Sequence, residues 1–363
     1  WFRTGTGNEM FHSHFWTDWF ADLNYGPAAE AEKSDAFKAL TSAADKWINL
    51  GVDGFRLDAV KHIYHNAYSS ENPMFLKKFY DRCNTTFKAR GGNGDFYMVG
   101  EMLDDCDKVA PYYAGLPALF EFSFWYKLKW ALQNNTGLYF AHDIISMQSA
   151  YSQYRTDYIE ATKLSNHDED RAGSDLDKSK EKMKLAAAVL MTSQGHPYIY
   201  QGEELGYWGT KSRGDGYVRT PIIWDRSSTN TATAGVNGKY DSGMLTKAMS
   251  VEAQSEDNNS VLSVYRYFTK LRNAHPALAS GKMSKHPDYD ENRQTDKNIA
   301  AWFIEGDGEK LLVVHNFGNT QYDAFFHEDL SQAVGLHGTA SAYKTADTWK
   351  LTLGAYSSAI FKQ

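Results

Sequence analysis

The sequence predicts an α/β chain of the (β/α)8 barrel class, with five barrel strands visible, followed by an all-β antiparallel sandwich. Three observations lead there. Short apolar runs alternate with helical patterns from residue 34 to about residue 280, the signature of parallel strands joined by helical crossovers. Beyond that point the pattern becomes closely spaced strand-like runs, AAWFIE, KLLVVHNF, SAYKT, WKLTL and SSAIF, with Gly-rich turns, which fits a small sandwich. Carboxylates stand at the C-terminal ends of the earlier runs, where a parallel barrel gathers its loops.

Taken in order, Phe37, Leu40, Ala44, Trp47 and Ile48 have helical spacing, with Ser34 as N-cap and Gly51 as the stop. A strand is predicted over 54–59 (GFRLDA) and a helix over 73–90, where Phe75, Phe79, Cys83 and Phe87 recur every four residues. Strands follow at 96–102 (FYMVGEM), 119–124 (LFEFSF), 162–168 (TKLSNHD) and 198–204 (YIYQGEE), with helices near 124–134 and 178–193. Eight strands are needed to close a barrel, so five leave open edges. A long loop covers 205–245, a helix ends near 271–278, and the domain boundary falls near 280.

Composition excludes several classes. The 363 residues carry a net charge of -7, which provides no basic field for nucleic acid. No run of about 18 apolar residues is present, so no helix is predicted to span a membrane. The two cysteines, Cys83 and Cys106, form neither a disulfide framework nor a CxxC metal site. Aromatics reach 15%, with 10 Trp and 23 Tyr, which suits stacking on sugar rings as well as filling a core.

Three carboxylates, Asp58, Glu101 and Asp168, sit at or just past predicted strand ends. Burying a carboxylate on a strand is costly unless it is paired or used. Arg56 lies two residues before Asp58, so both side chains share one side of the strand, and the guanidinium favours an ionised, stationary nucleophile. A buried ion pair serving stability is the other reading. Glu101 follows the apolar run YMVG, where desolvation raises a carboxyl pKa and suits a general acid. Asp168 could accept from sugar hydroxyls and His167 could donate to one, although a lone NHD is more often a turn. Asp104, Asp105 and Asp107 read as a solvated loop.

The ordered runs GFRLDAVKH, VGEM, LSNHDEDR and GHPYIYQGEELG resemble the strand-end motifs of the α-amylase family of glycoside hydrolases, from about residue 18 to the end of the chain. The resemblance implies a retaining double displacement with Asp58 as nucleophile, Glu101 as acid/base and Asp168 as transition-state stabiliser. It also implies that Arg56, Lys61, His62 and His167 bind substrate, and that the two catalytic carboxyls lie about 5–5.5 Å apart. The family's early DxVxNH motif is absent from this sequence. Residues 1–33 are therefore expected to end the excursion after barrel strand 3, residues 34–280 to supply strands 4–8, and residues 281–363 to form the C-terminal sandwich. An N-terminal portion of the same enzyme is expected to complete the barrel.

FADLNYG resembles the family's PDLN motif, which implies calcium bound by Asp22 and the carbonyl of His62, with further ligands elsewhere because calcium takes 6–8 oxygens. Ala59, Lys61 and His62 after the nucleophile are similar to α-1,4-acting amylases, whereas RTPIIWD (219–225) is similar to a run of the oligo-1,6-glucosidases. Endo-hydrolysis of starch and maltooligosaccharides is favoured. A neopullulanase or α-1,6-glucosidase is the same-class rival, and a non-catalytic glucan-binding relative is the rival of another class. The chain also resembles the starch-utilisation amylases of gut bacteria. That likeness implies the outer face of the outer membrane, a lipid anchor and association with other glucan-uptake proteins, or otherwise secretion.

One site comes from spacing. On the helix near 124–134, Trp125, Leu128 and Leu132 form the core stripe, leaving Trp130 on the wet side with Tyr126, Lys127 and Asn134. With Tyr139 and Asp143 after the next turn, Trp130 could form a surface platform for glucan. Ordinary surface exposure is the competing reading.

Overall fold

Ser34 starts the first long helix, α1 (Asp35–Asn49), as its sequence predicts. Its Oγ accepts the Phe37 N–H at 3.1 Å, satisfying a donor that has no partner inside the helix. Phe37, Thr41, Ala44 and Ile48 form the buried stripe, whereas Trp47 is exposed. Thr41 can occupy that stripe because its hydroxyl donates back to the Phe37 carbonyl at 2.9 Å. Gly51 follows with φ +112°, a conformation that side chains rarely adopt, and turns the chain toward the first parallel strand.

The computed structural model describes residues 2–3, 10–11, 13, 20–227, 239–241, 243–289 and 296–363. Contacts divide the chain into two compact units, Trp1–Phe120 with Gln148–Ala161 and Glu121–Met147 with Thr162–Gln363. The first unit is built on a sheet of order β1-β2-β3-β4, formed by β1 (Gly54–Leu57), β2 (Tyr97–Gly100), β3 (Ala118–Glu121) and β4 (Ile159–Thr162). β1 and β2 pair in parallel with Arg56 opposite Val99, and β2 pairs in parallel with β3.

The helix α2 (Glu71–Ala89) buries Phe75, Phe79, Cys83 and Phe87 as the four-residue repeat predicts. Phe75 meets Phe37 of α1 edge to face, with centroids 5.5 Å apart. Asn72 at its start is fully buried. It accepts from the Tyr64 N–H at 2.8 Å and donates to the Lys61 carbonyl at 3.0 Å, so α2 fixes the loop that follows β1.

Three predicted strands are corrected. The run 119–124 divides at Glu121, whose carboxylate accepts the Ser123 N–H at 2.8 Å and caps α3 (Phe122–Gln133). The strand expected over 162–168 lies upstream, as β4. Beyond the bridge at Lys163 the Asn166 side chain takes the N–H groups of Asp168 and Glu169 at 2.8 and 2.9 Å, and a turn replaces the ladder. The fifth barrel strand is reduced to one parallel bridge between Lys163 and Tyr198, because the chain turns at Gly202.

In the second unit, α4 (Phe140–Ser152) begins after the turn that ends α3, and α5 (Lys180–Thr192) and α6 (Val261–Ala274) follow. The buried guanidinium of Arg272 on α6 caps the end of α5, donating to the carbonyls of Met191 and Ser193 at 2.9 Å. The C-terminal strands are β5 (Lys282–Lys285), β6 (Ile299–Gly306), β7 (Glu309–Asn316), β8 (Tyr322–Phe326), β9 (Ala333–His337), β10 (Ala340–Lys344), β11 (Trp349–Leu353) and β12 (Ser358–Lys362). They form sheets of order β9-β12-β7-β6-β5 and β8-β11-β10. Leu312, Val314, Phe326, Leu351 and Phe361 belong to the core between them. The predicted runs recover five of these strands, while β5, β8 and β9 are short and carry polar residues among their apolar ones.

Candidate active site

In the first unit, adjacent parallel strands bring Asp58 and Glu101 to one end of the sheet. The ladder continues past both strands, with the Glu101 N–H on the Leu57 carbonyl at 2.8 Å and the Val60 N–H on the Glu101 carbonyl at 3.0 Å. Between them Ala59 takes the left-handed conformation, φ +46°, which is costly for a residue with a Cβ and is found where the surroundings impose it. Its N–H is thereby aimed at Oε2 of Glu101, 3.0 Å away.

One guanidinium joins the two carboxyls. Nη1 of Arg56 is hydrogen-bonded to Oδ1 of Asp58, and Nη2 lies 3.8 Å from Oε2 of Glu101. The expectation that Asp58 is buried is corrected, since its side chain is 77% exposed. It follows the last residue of β1, and β1 is an edge of the sheet, so no second strand covers it among the described residues.

Lys61 donates to the Leu103 carbonyl at 2.7 Å and to Asp104 at 2.9 Å. The Tyr68 hydroxyl donates to the same Asp104 oxygen at 3.1 Å. Asp104 is therefore not part of a solvated loop. Burial works to raise its carboxyl, but the Lys61 ammonium, the Asp105 N–H and the Tyr68 hydroxyl outweigh it and hold the group below its usual range.

Asp168 belongs to the second unit, where it is surrounded by cations. Its Oδ1 takes Lys211 Nζ at 3.2 Å and Arg219 Nη2 at 2.9 Å, and its Oδ2 lies 2.9 Å from His167 Nε2. Arg219 also donates to the His167 carbonyl at 3.1 Å. Partial burial opposes ionisation, yet Lys211, His167 and Arg219 together lower the Asp168 carboxyl. The turn is anchored from below by Glu203, which is buried and accepts from the Ser165 N–H at 3.2 Å, the Ser165 hydroxyl at 2.7 Å and the Tyr265 hydroxyl at 2.8 Å. Sequence reasoning missed Asp104, Lys211 and Glu203 as site residues. Paired glutamates inside the apolar run YIYQGEELG were the available signal for Glu203.

The described residues offer calcium no more than part of a site. Asp22 and the His62 carbonyl could offer two oxygens of the six to eight required, and among the described residues no group of three or more His, Cys, Asp or Glu side chains could hold a metal ion.

Residues 4–281 match the family model "Alpha amylase, catalytic domain". The chain belongs to the α-amylase family. Residues 299–360 match the C-terminal domain of alpha-amylase SusG. Over 353 residues the chain is 54% identical to alpha-amylase SusG of Bacteroides thetaiotaomicron, covering 97% of this chain and 50% of that protein. It is 30% identical to alpha-amylase 3 of Dictyoglomus thermophilum, covering all of this chain and 67% of that one. Among solved structures, Eubacterium rectale Amy13B matches with a TM-score of 0.78 at 26% identity, over 96% of this chain and 66% of that one. The chain thus spans half to two thirds of the length of these members of the α-amylase family.

The surface residues lie together. Trp130 (53% exposed), Tyr139 and Asp143 line a cavity of about 280 Å³ with Lys127 and Leu138. Tyr139 is held at φ +65°, and its carbonyl accepts the Asp143 N–H at 2.8 Å. Asp143 is already paired with Lys127 at 2.8 Å.

Proposed function

We propose that the protein carrying this chain hydrolyses α-1,4-glucosidic bonds of starch and maltooligosaccharides with retention of anomeric configuration. The observation that carries the reading is the Arg56 guanidinium shared by Asp58 and Glu101, since retaining hydrolysis needs two carboxyl groups at close range in different roles. Asp58 attacks the anomeric carbon while Glu101 gives its proton to the departing oxygen. Water, deprotonated by Glu101, then releases the glycosyl group from Asp58. Asp168 with His167 binds hydroxyls of the distorted sugar, and Lys61 and His62 bind the glucan beside the cut.

Asp58→Asn should abolish sugar release from maltoheptaose while leaving binding intact. Proton NMR of the first product should show the α anomer. Turnover that survives Asp58→Asn, or a β anomer, would reject the assignment. The run containing Arg219 keeps the α-1,6 reading alive, and cleavage of pullulan and panose in preference to maltoheptaose would establish it.

Trp130, Tyr139 and Asp143 form a second glucan platform in this reading, supported by the cavity that they line. Maltooligosaccharide soaked into crystals should appear against Trp130, and sugar found at Asp58 and Glu101 but never at Trp130 would remove the platform. The 54% identity to alpha-amylase SusG supports placing the protein on the outer surface of the cell with other glucan-uptake proteins. Protease accessibility on intact cells tests that placement.

A further inference from the structure

The three-stranded sheet β8-β11-β10 turns one face to its core and the other outward. Alternation along each strand puts Ala324, Phe326, Leu351 and Leu353 inside. The opposite face carries Phe325 and Asp323 from β8, Lys350 and Thr352 from β11, and Tyr343 and Ser341 from β10. Register sets them in two rows, because Lys350 lies opposite both Phe325 and Tyr343, and Thr352 lies opposite both Asp323 and Ser341. Directly opposed residues project to the same face.

Phe325 is 55% exposed and Tyr343 is 53% exposed. They flank the central strand, so their strands are two inter-strand spacings, about 10 Å, apart. The polar residues between and beside them are already organised. Asp323 accepts from Lys350 at 2.6 Å and from the Thr352 hydroxyl at 2.6 Å.

Phe325 and Tyr343, the latter with Lys350 Nζ 5.8 Å from its ring centroid, stand beside fixed hydroxyl, ammonium and carboxylate groups, which matches the chemistry of a pyranose, with C–H bonds on its faces and hydroxyls at its edge. A protein-docking core is depleted of charged side chains, whereas this face carries the Asp323–Lys350 pair between and beside its rings. We propose that this face binds an α-glucan chain, with Phe325 and Tyr343 stacking on sugar rings and Asp323, Thr352 and Ser341 bonding their hydroxyls. The proposal rests on the reading of the substrate as α-glucan and adds a binding surface to it.

The test is adsorption of the whole protein to insoluble starch, in an Asp58→Asn, Trp130→Ala background that removes turnover and the other platform. Phe325→Leu with Tyr343→Leu removes both rings from exposed positions and should lower adsorption at least threefold. In the otherwise unmodified enzyme the same pair should leave kcat/KM on maltotriose-length substrates within twofold. Phe325→Tyr with Tyr343→Phe keeps both rings and should keep adsorption. Adsorption unchanged by the leucine pair, or lost equally by the ring-keeping pair, overturns the proposal. A background protein that does not adsorb at all overturns it together with the substrate reading, whereas an adsorbing background with an unaffected leucine variant overturns this surface alone.

Discussion

Nη2 of Arg56 lies 3.8 Å from Oε2 of Glu101, while the other end of the same guanidinium is hydrogen-bonded to Asp58. The planar fork can serve two carboxyls at once, which a lysine ammonium on a flexible stem does less well. Arg56→Lys should therefore keep the charge and lose the geometry, lowering kcat on maltoheptaose by on the order of 100-fold with little change in KM. Steady-state kinetics on the purified variant would decide it. A loss confined to KM would mean that Arg56 only holds substrate.

Glu101→Gln removes the proposed proton donor and should slow starch hydrolysis by roughly 10²–10⁴-fold. An aryl maltoside with an acidic phenol as leaving group needs little protonation, so its first turnover should survive as a burst of released phenol. Stopped-flow absorbance would show that burst. Its absence, with slow turnover on both substrates, would assign Glu101 to another role.

Asp104 was hidden because sequence shows only a run of acids, LDDCD, without saying which one faces Lys61. Asp104→Asn keeps the size but removes a charge-assisted bond, and should raise KM for maltooligosaccharides by roughly 10-fold with kcat less affected. Unchanged KM would show that the Lys61–Asp104 pair only stiffens the loop.

Much of the architecture was legible because periodicity reports burial. The four-residue repeat of α2, the Ser34 cap and the stripe of Trp125, Leu128 and Leu132 on α3 each depend on local chain geometry alone. Trp130 could be assigned to the wet side for the same reason. What failed depended on long-range partners. The run TKLSNHD looks like a strand until Asn166 bonds the two following N–H groups. Asp58 looks buried until β1 is seen to be a sheet edge. Lys211 and Arg219 reach Asp168 from about 40 to 50 residues downstream, a distance at which spacing carries no information.

His315 and Glu203 give the second unit two opposed responses to pH. His315 on β7 lies between the Thr192 hydroxyl at 3.0 Å and the Ser358 hydroxyl at 2.7 Å. Burial, assisted by His337, pushes its pKa down to about 3. The unfolded chain binds a proton there below about pH 6.5 while the folded chain does not, so stability present above 6.5 is lost as pH falls toward 3. His315→Gln should flatten that acid loss, read as the urea midpoint at pH 7 and at pH 4.5. An unchanged pH dependence would remove His315 as its source.

Glu203 acts with the opposite sign. Burial pushes its carboxyl up to about 7, more strongly than the bonds from Ser165 and Tyr265 lower it. Between pH 4.5 and 7 the folded chain holds a proton that the unfolded chain has released, so stability falls as pH rises through that window, by on the order of 2–3 kcal/mol. In the interval 4.5–6.5 this slope opposes that of His315 and of its neighbour His337, whose pKa burial likewise pushes down to about 4. Glu203→Gln can keep an acceptor toward Ser165 while losing the titration. It should therefore raise stability at pH 7 relative to pH 4.5 and expose a steeper acid loss. Urea titrations of the parent and both single variants at half-unit pH steps separate the contributions. A Glu203→Gln curve parallel to the parent's from pH 4.5 to 7 would show that Glu203 does not titrate there, and the buried carboxyl beneath the Asp168 turn would then be ionised throughout.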